Sequence, residues 1–189
     1  MKHTLLIITA LMLVVGCSSD KETPSSQARE PIDSSALVWK GNKPYAPDSD
    51  KPFSGEVVRY YGNGQKELEG SYKNGKPIGK WIRWHDNGQK EEERTYKDGK
   101  QDGLHTYWHE NGQKKLKGTY KDGKQDGLQT WWYENGQKEL KGTYKDGEED
   151  GLHTYWHENG QKSGEGTYKD GEEISLECWD EVGNEIDCG

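Results

Sequence analysis

Apolar residues are scarce in this 189-residue chain, and positive charge is in the minority. Only 29% of positions are hydrophobic, with a single phenylalanine and two methionines. Much of that share sits in one run, residues 5–15, whose eleven residues are too few to span a bilayer as a helix. Lysine and arginine number 26 against 34 acidic residues, a formal net charge of −8. That sign argues against nucleic acid and anionic lipid headgroups as partners, because both are held by cationic surfaces. A composition this polar, taken alone, suggests disorder.

The aromatic residues overrule that suggestion. All eight tryptophans and all eleven tyrosines lie at Trp39 or later, and they recur in register. Asn63, Asn87, Asn111, Asn135 and Asn159 stand 24 residues apart. Gly55, Gly79, Gly103, Gly127 and Gly151 keep the same step, as do Tyr72, Tyr96, Tyr120, Tyr144 and Tyr168. Each period carries two turn signals, Asn-Gly in its middle and Asn-Gly or Asp-Gly after the tyrosine. Two strands and two reversals per repeat follow, which is β-hairpin spacing. The expected fold is all-β, an extended antiparallel hairpin meander in which stacked repeats bury what one hairpin cannot.

The register can be argued from the faces it creates. A three-residue Glu110-Asn111-Gly112 loop with Gly112 left-handed pairs Trp108 with Lys114, Thr106 with Leu116 and Leu104 with Gly118. One face then gathers Leu104, Trp108, Leu116 and Tyr120, repeated as Leu128, Trp132, Leu140 and Tyr144. The other face reads Val57, Arg59, Tyr61; Trp81, Arg83, His85; His105, Tyr107, His109; Gln129, Trp131, Tyr133; and His153, Tyr155, His157. The first face repeats itself and the second varies. Variation rich in Trp, Tyr, Arg and His suits a recognition surface, although cross-strand aromatic pairs also stabilise sheets. The candidate binding residues are therefore Trp81, Arg83, His105, Tyr107, His109, Trp131, Tyr133, His153, Tyr155 and His157.

The segment GKWIRWHDNGQK (79–90) followed by TYKDG (95–99) is similar to the bacterial variant of the MORN repeat. KPFSGEVVRYYGNGQK (51–66) resembles the first repeat of proteins labelled YwqK-family antitoxins. The resemblance implies five repeats over 52–171, an N-terminal cap over 36–51, and a toxin as a candidate partner. The chain departs from the pattern where Trp81 gives way to His105, Gln129 and His153.

Ahead of the repeats, Lys2, His3 and the apolar run have the layout of a secretory signal over 1–16. Val14-Val15-Gly16-Cys17 looks like a bacterial lipobox, with Cys17 lipidated; an ordinary signal peptide that holds a cysteine is the alternative. Residues 17–35, polar and rich in serine, read as the lipidated residue and a flexible tether. The expected location is the cell envelope, anchored through lipid alone, at the outer membrane where a cell has two, since Ser18 follows the cysteine. Residues 172–189 read as a degenerate closing hairpin. Its Cys178 and Cys188 are centred on Gly183, in the expected turn, so a disulfide is favoured over free thiols or a metal pair.

Chemistry finds little support. For His105, His109, His153 and His157, residues four apart on a strand are about 13 Å apart and equivalent positions even in adjacent repeats roughly 10 Å apart, too far to share one ion at bond lengths near 2 Å. The acidic loop 145–151 lacks the twelve-residue frame of an EF-hand. No Ser-His-Asp or Cys-His arrangement and no phosphate-cradling loop stand out. The expectation is a protein with no cofactor, no metal and no catalysis, which recognises a protein or glycan through the variable face, neutralises a toxin, or serves as an envelope spacer.

Overall fold

A computed structural model describes residues 30–189. The signal segment, Cys17 and most of the tether lie outside the described residues.

The five repeats supply ten strands in chain order. They are β4 (Gly55–Tyr60) and β5 (Lys66–Lys73), β6 (Lys76–Trp84) and β7 (Lys90–Lys97), and β8 (Lys100–Trp108) and β9 (Lys114–Lys121). Then follow β10 (Lys124–Trp132) and β11 (Lys138–Lys145), and β12 (Glu148–Trp156) and β13 (Lys162–Lys169). With β14 (Glu172–Trp179) and β15 (Glu185–Ile186) they form one antiparallel meander. At its start β1 (Ile32–Asp33) pairs in parallel with β4, Ile32 opposite Val57. Ile32 and Asp33, within the expected tether, thus cover an otherwise open sheet edge. The cap region forms a separate small hairpin, β2 (Val38–Lys40) and β3 (Lys43–Tyr45). Among the described residues there is no α-helix, and extensive contacts run almost entirely between consecutive strands.

The turns explain the period. Asn74, Asp98, Asp122, Asp146 and Asp170 all sit at φ between 49 and 52°, each followed by a glycine with positive φ. Such two-residue turns need left-handed backbone at both positions, which Asn or Asp followed by Gly adopts most readily. At the other end of each strand pair the loop is the expected three residues. In the third repeat the His109 N–H donates to Gln113 O and the Gly112 N–H to His109 O, with Gly112 at φ 82°.

Beyond that loop the expected register fails. Trp108 does pair with Lys114, but a bulge follows and places Tyr107 opposite Leu116, His105 opposite Gly118 and Leu104 opposite Thr119. One extra residue on β9 flips the parity of everything after it. Leu116 and Tyr120 therefore share a face with His105 and Tyr107, while Leu104 and Trp108 point the other way. The same bulge recurs in all five hairpins. The face assignment is thus inverted in its centre. The varying column Val57, His105, Gln129 and His153 is buried, at 1, 4, 0 and 0% exposure, whereas Leu104, Leu128 and Leu152 are exposed.

Candidate binding face

The buried column shows why the first varying position varies. From the second repeat onward, where the column reads Trp81, His105, Gln129 and His153, each of its side chains lies over the second strand of the preceding repeat. A Cβ at Gly70 would fall 2.2 Å from the Trp81 ring, one at Gly118 1.5 Å from Gln129 Oε1, and one at Gly142 2.4 Å from the His153 ring. The glycines are notches, and the next repeat fills them. Gln129 Nε2 donates to Thr119 O at 2.7 Å, and His153 Nε2 meets the equivalent Thr143 O at 2.9 Å, so this nitrogen carries the proton. The rings of Tyr144 and Tyr168 close over His153 at centroid distances of 5.2 and 4.8 Å. His105 and His153 are interior, and no partner can reach them.

In the second repeat the notch is absent, because Arg94 occupies the place of the glycine and Glu92 that of the leucine. His105 Nε2 then donates to Glu92 Oε1 at 2.9 Å, Arg94 also pairs with Glu92, and Arg94 Nη2 donates to the Tyr107 hydroxyl at 2.7 Å. Burial alone would push the Glu92 carboxyl up, but hydrogen bonds from His105 and Tyr107 and the charge of Arg94 together hold it below its ordinary value. Burial and the neighbouring Glu92 raise the Tyr107 hydroxyl.

The third varying column proves to be a set of links. Tyr61 and Tyr133 donate from their hydroxyls to Trp84 O and Trp156 O, at 2.6 and 2.7 Å. His109 Nε2 and His157 Nε2 reach Trp132 O and Trp179 O at 2.9 Å, and His85 lies 3.4 Å from Trp108 O. Tyrosine and histidine stand in for one another because both present a donor at the same reach. The Asn-Gly turns join in: the Asn111 side chain accepts from the Gln113 N–H and donates to Glu134 O in the next repeat, and the four equivalent asparagines do likewise. Sequence reasoning missed these links. Their signal was the restriction of one column to Tyr and His.

What remains free to differ is the middle column, Arg59, Arg83, Tyr107, Trp131 and Tyr155. Arg59 is bound to Glu67 and Tyr155 contacts the Tyr168 hydroxyl at 3.2 Å, while Arg83 is exposed. Tyr107 and Trp131 line two successive hollows along the Asn-Gly edge, about 430 and 480 Å³ in volume. His109, Lys115 and Glu134 line both, so the hollows adjoin. Lys115 stands between Glu91 in the first and Glu139 in the second. Of the residues expected to meet a partner, Tyr107, His109, Trp131 and Tyr133 line this trough, Trp81 packs on Gly70, and Tyr155 and His157 lie one repeat beyond. Among the described residues no group of three or more His, Cys, Asp or Glu converges as metal ligands. Cys178 and Cys188 are joined by a disulfide, with Cα atoms 5.4 Å apart.

Compared with known families, residues 53–74, 77–98, 101–122, 125–146 and 149–170 each match the model of the MORN repeat variant. No curated protein matches the chain.

Proposed function

Because the chain belongs to the MORN repeat variant family, we propose that it is a binding scaffold without catalysis of its own, holding an extended protein or glycan along the Asn-Gly edge. The observation that carries this reading is the trough lined by Tyr107 and Trp131, where half-buried rings and the isolated cation of Lys115 alternate with carboxylates. Large rings with polar neighbours are what partly desolvated contacts use. The lipobox-like segment supports attachment through a lipidated Cys17, which would present the scaffold in the cell envelope. Release of radiolabelled fatty acid from the wild type but not from Cys17→Ala checks that attachment.

A second reading is favoured by one specific observation. The polar atoms of two of the three varying columns are used between repeats, as a spacer without a ligand would use them. Capture from envelope extract separates the two, comparing the wild type with Lys115→Glu/Trp131→Ala and, on the opposite face, Leu104→Ser/Leu152→Ser, all of confirmed folding. Loss of a component by the first variant only supports the trough. Equal retention by both moves the site elsewhere, and absence of any component supports the spacer. A one-to-one complex with a toxin would assign the neutralising role implied by the resemblance to YwqK-family proteins.

A further inference from the structure

The outer face of the sheet, opposite the trough, follows a charge rule that two adjacent repeats break. In three repeats the lysine that opens the second strand is paired with a glutamate three residues on: Lys66 with Glu69 at 2.6 Å, Lys90 with Glu93 at 2.8 Å and Lys162 with Glu165 at 2.9 Å. In β9 and β11 the glutamate is replaced, leaving Lys114 with Lys117 and Lys138 with Lys141. All four are exposed and none joins an ion pair among the described residues, although the Lys138 ammonium lies over the Trp156 ring, 5.4 Å from its centroid. Lys117 and Lys141 both pair with Thr130, so they flank β10 at about 10 Å from one another. Leu104, Leu128 and Leu152, exposed by 39, 50 and 55%, run beside them on the same face.

The complement lies in the closing segment. Asp170–Gly189 holds eight carboxylates and no lysine or arginine, and it exposes Ile174, Val182 and Ile186. It thus offers acid and apolar surface together, where the lysine patch offers base and apolar surface. Its place in the same sheet, beyond β12 and β13, keeps it from folding back onto its own patch.

We infer that the outer face of the third and fourth repeats is the docking surface for the acidic C-terminal hairpin of a second copy of this chain. The contact goes beyond the trough reading and uses the opposite face. It joins two different patches, so each docked copy still offers one of each and association continues head to tail. Opposed exposed charges make it sensitive to salt.

The test uses the full chain in detergent at low salt, half of it labelled with ¹⁵N, coupled by a carbodiimide that joins a lysine amine directly to a carboxylate. Mixed-isotope peptides linking Lys114, Lys117, Lys138 or Lys141 to carboxylates of residues 170–187 are expected. They should fall roughly tenfold in Lys117→Glu/Lys141→Glu and by less in Lys117→Gln/Lys141→Gln. They should return when the charge-reversed copy is mixed with one carrying Glu177→Lys/Glu185→Lys. Links confined to single-isotope pairs, links indifferent to charge reversal, or coupling of these lysines to another molecule instead would each overturn the proposal.

Discussion

In β11, Leu140 and Gly142 leave a notch that the His153 ring fills; in β7 the corresponding residues are Glu92 and Arg94, and His105 meets a carboxylate there instead. The two regions place a histidine at the same depth, with exposures of 0 and 4%, by unlike means. In the fourth repeat the seat is made by the absence of a side chain, and the ring meets one main-chain acceptor at Nε2, with the half-buried Glu149 carboxylate 3.4 Å from Nδ1. In the second it is made by two charges that hold each other and the ring. A repeat conserves a volume and a donor position more strictly than it conserves residues. Variation from repeat to repeat is therefore weak evidence of recognition until the side chain is shown to reach the surface.

The largest expected effect breaks the charged seat. Glu92→Ala leaves Arg94 and His105 without their acceptor and should destabilise the fold by about 3 kcal/mol, the low end for a broken buried pair because Arg94 keeps a third of its side chain in water. The threefold exchange Glu92→Leu, Arg94→Gly, His105→Gln transplants the third-repeat solution and should return stability to within about 1 kcal/mol of the wild type. Denaturant midpoints followed by tryptophan fluorescence read both, and a single variant as stable as the wild type would sink the account. Next in size, Gly142→Ala forces the His153 ring off its hydrogen bond and should cost about 2 kcal/mol; adding His153→Ala should recover part of it.

Asn111→Ala removes one turn acceptor and one link to the next repeat, with an expected cost of about 1 kcal/mol, the same in kind at Asn135. The finest distinction is pH. A carboxyl whose folded value is depressed contributes stability that is present above its unfolded value, near 4.5, and lost as pH falls through the folded one. The wild type should lose stability in that window by more than the threefold exchange does, and parallel acid titrations of the two would contradict it. At the alkaline end, burial and then the neighbouring Glu149 push the Tyr144 hydroxyl up to about 12, so its contribution is present below pH 10 and disappears as pH rises through 12.

The period, the two strands per repeat and the places of both turns were legible because left-handed backbone admits few residues, and Asn-Gly and Asp-Gly announce it in every repeat. The three-residue Glu110-Asn111-Gly112 loop was reached from the apolar face it would build, and the loop is as expected although the face is not. The bulge was not. It sits between Lys114 and Leu116, where an extra charged residue leaves no compositional trace, yet it decides which side chains are interior. A cue was present in the parity of Leu116, Gly118 and Tyr120, whose glycine makes sense only beneath a bulky neighbour. The trough depended on that parity, so its lining could be named from the sequence but not separated from the buried column and the links.

One consequence concerns how such an array comes apart. A stack of nearest-neighbour units frays from its termini, where a unit has one partner instead of two. Here the first repeat is gripped along its outer edge by Ile32 and Asp33, and the last hairpin is closed by the Cys178–Cys188 bond. With the first edge covered and the last hairpin tied to itself, neither end can unravel strand by strand, and the closing hairpin has to leave its neighbour whole, like the slider of a zip.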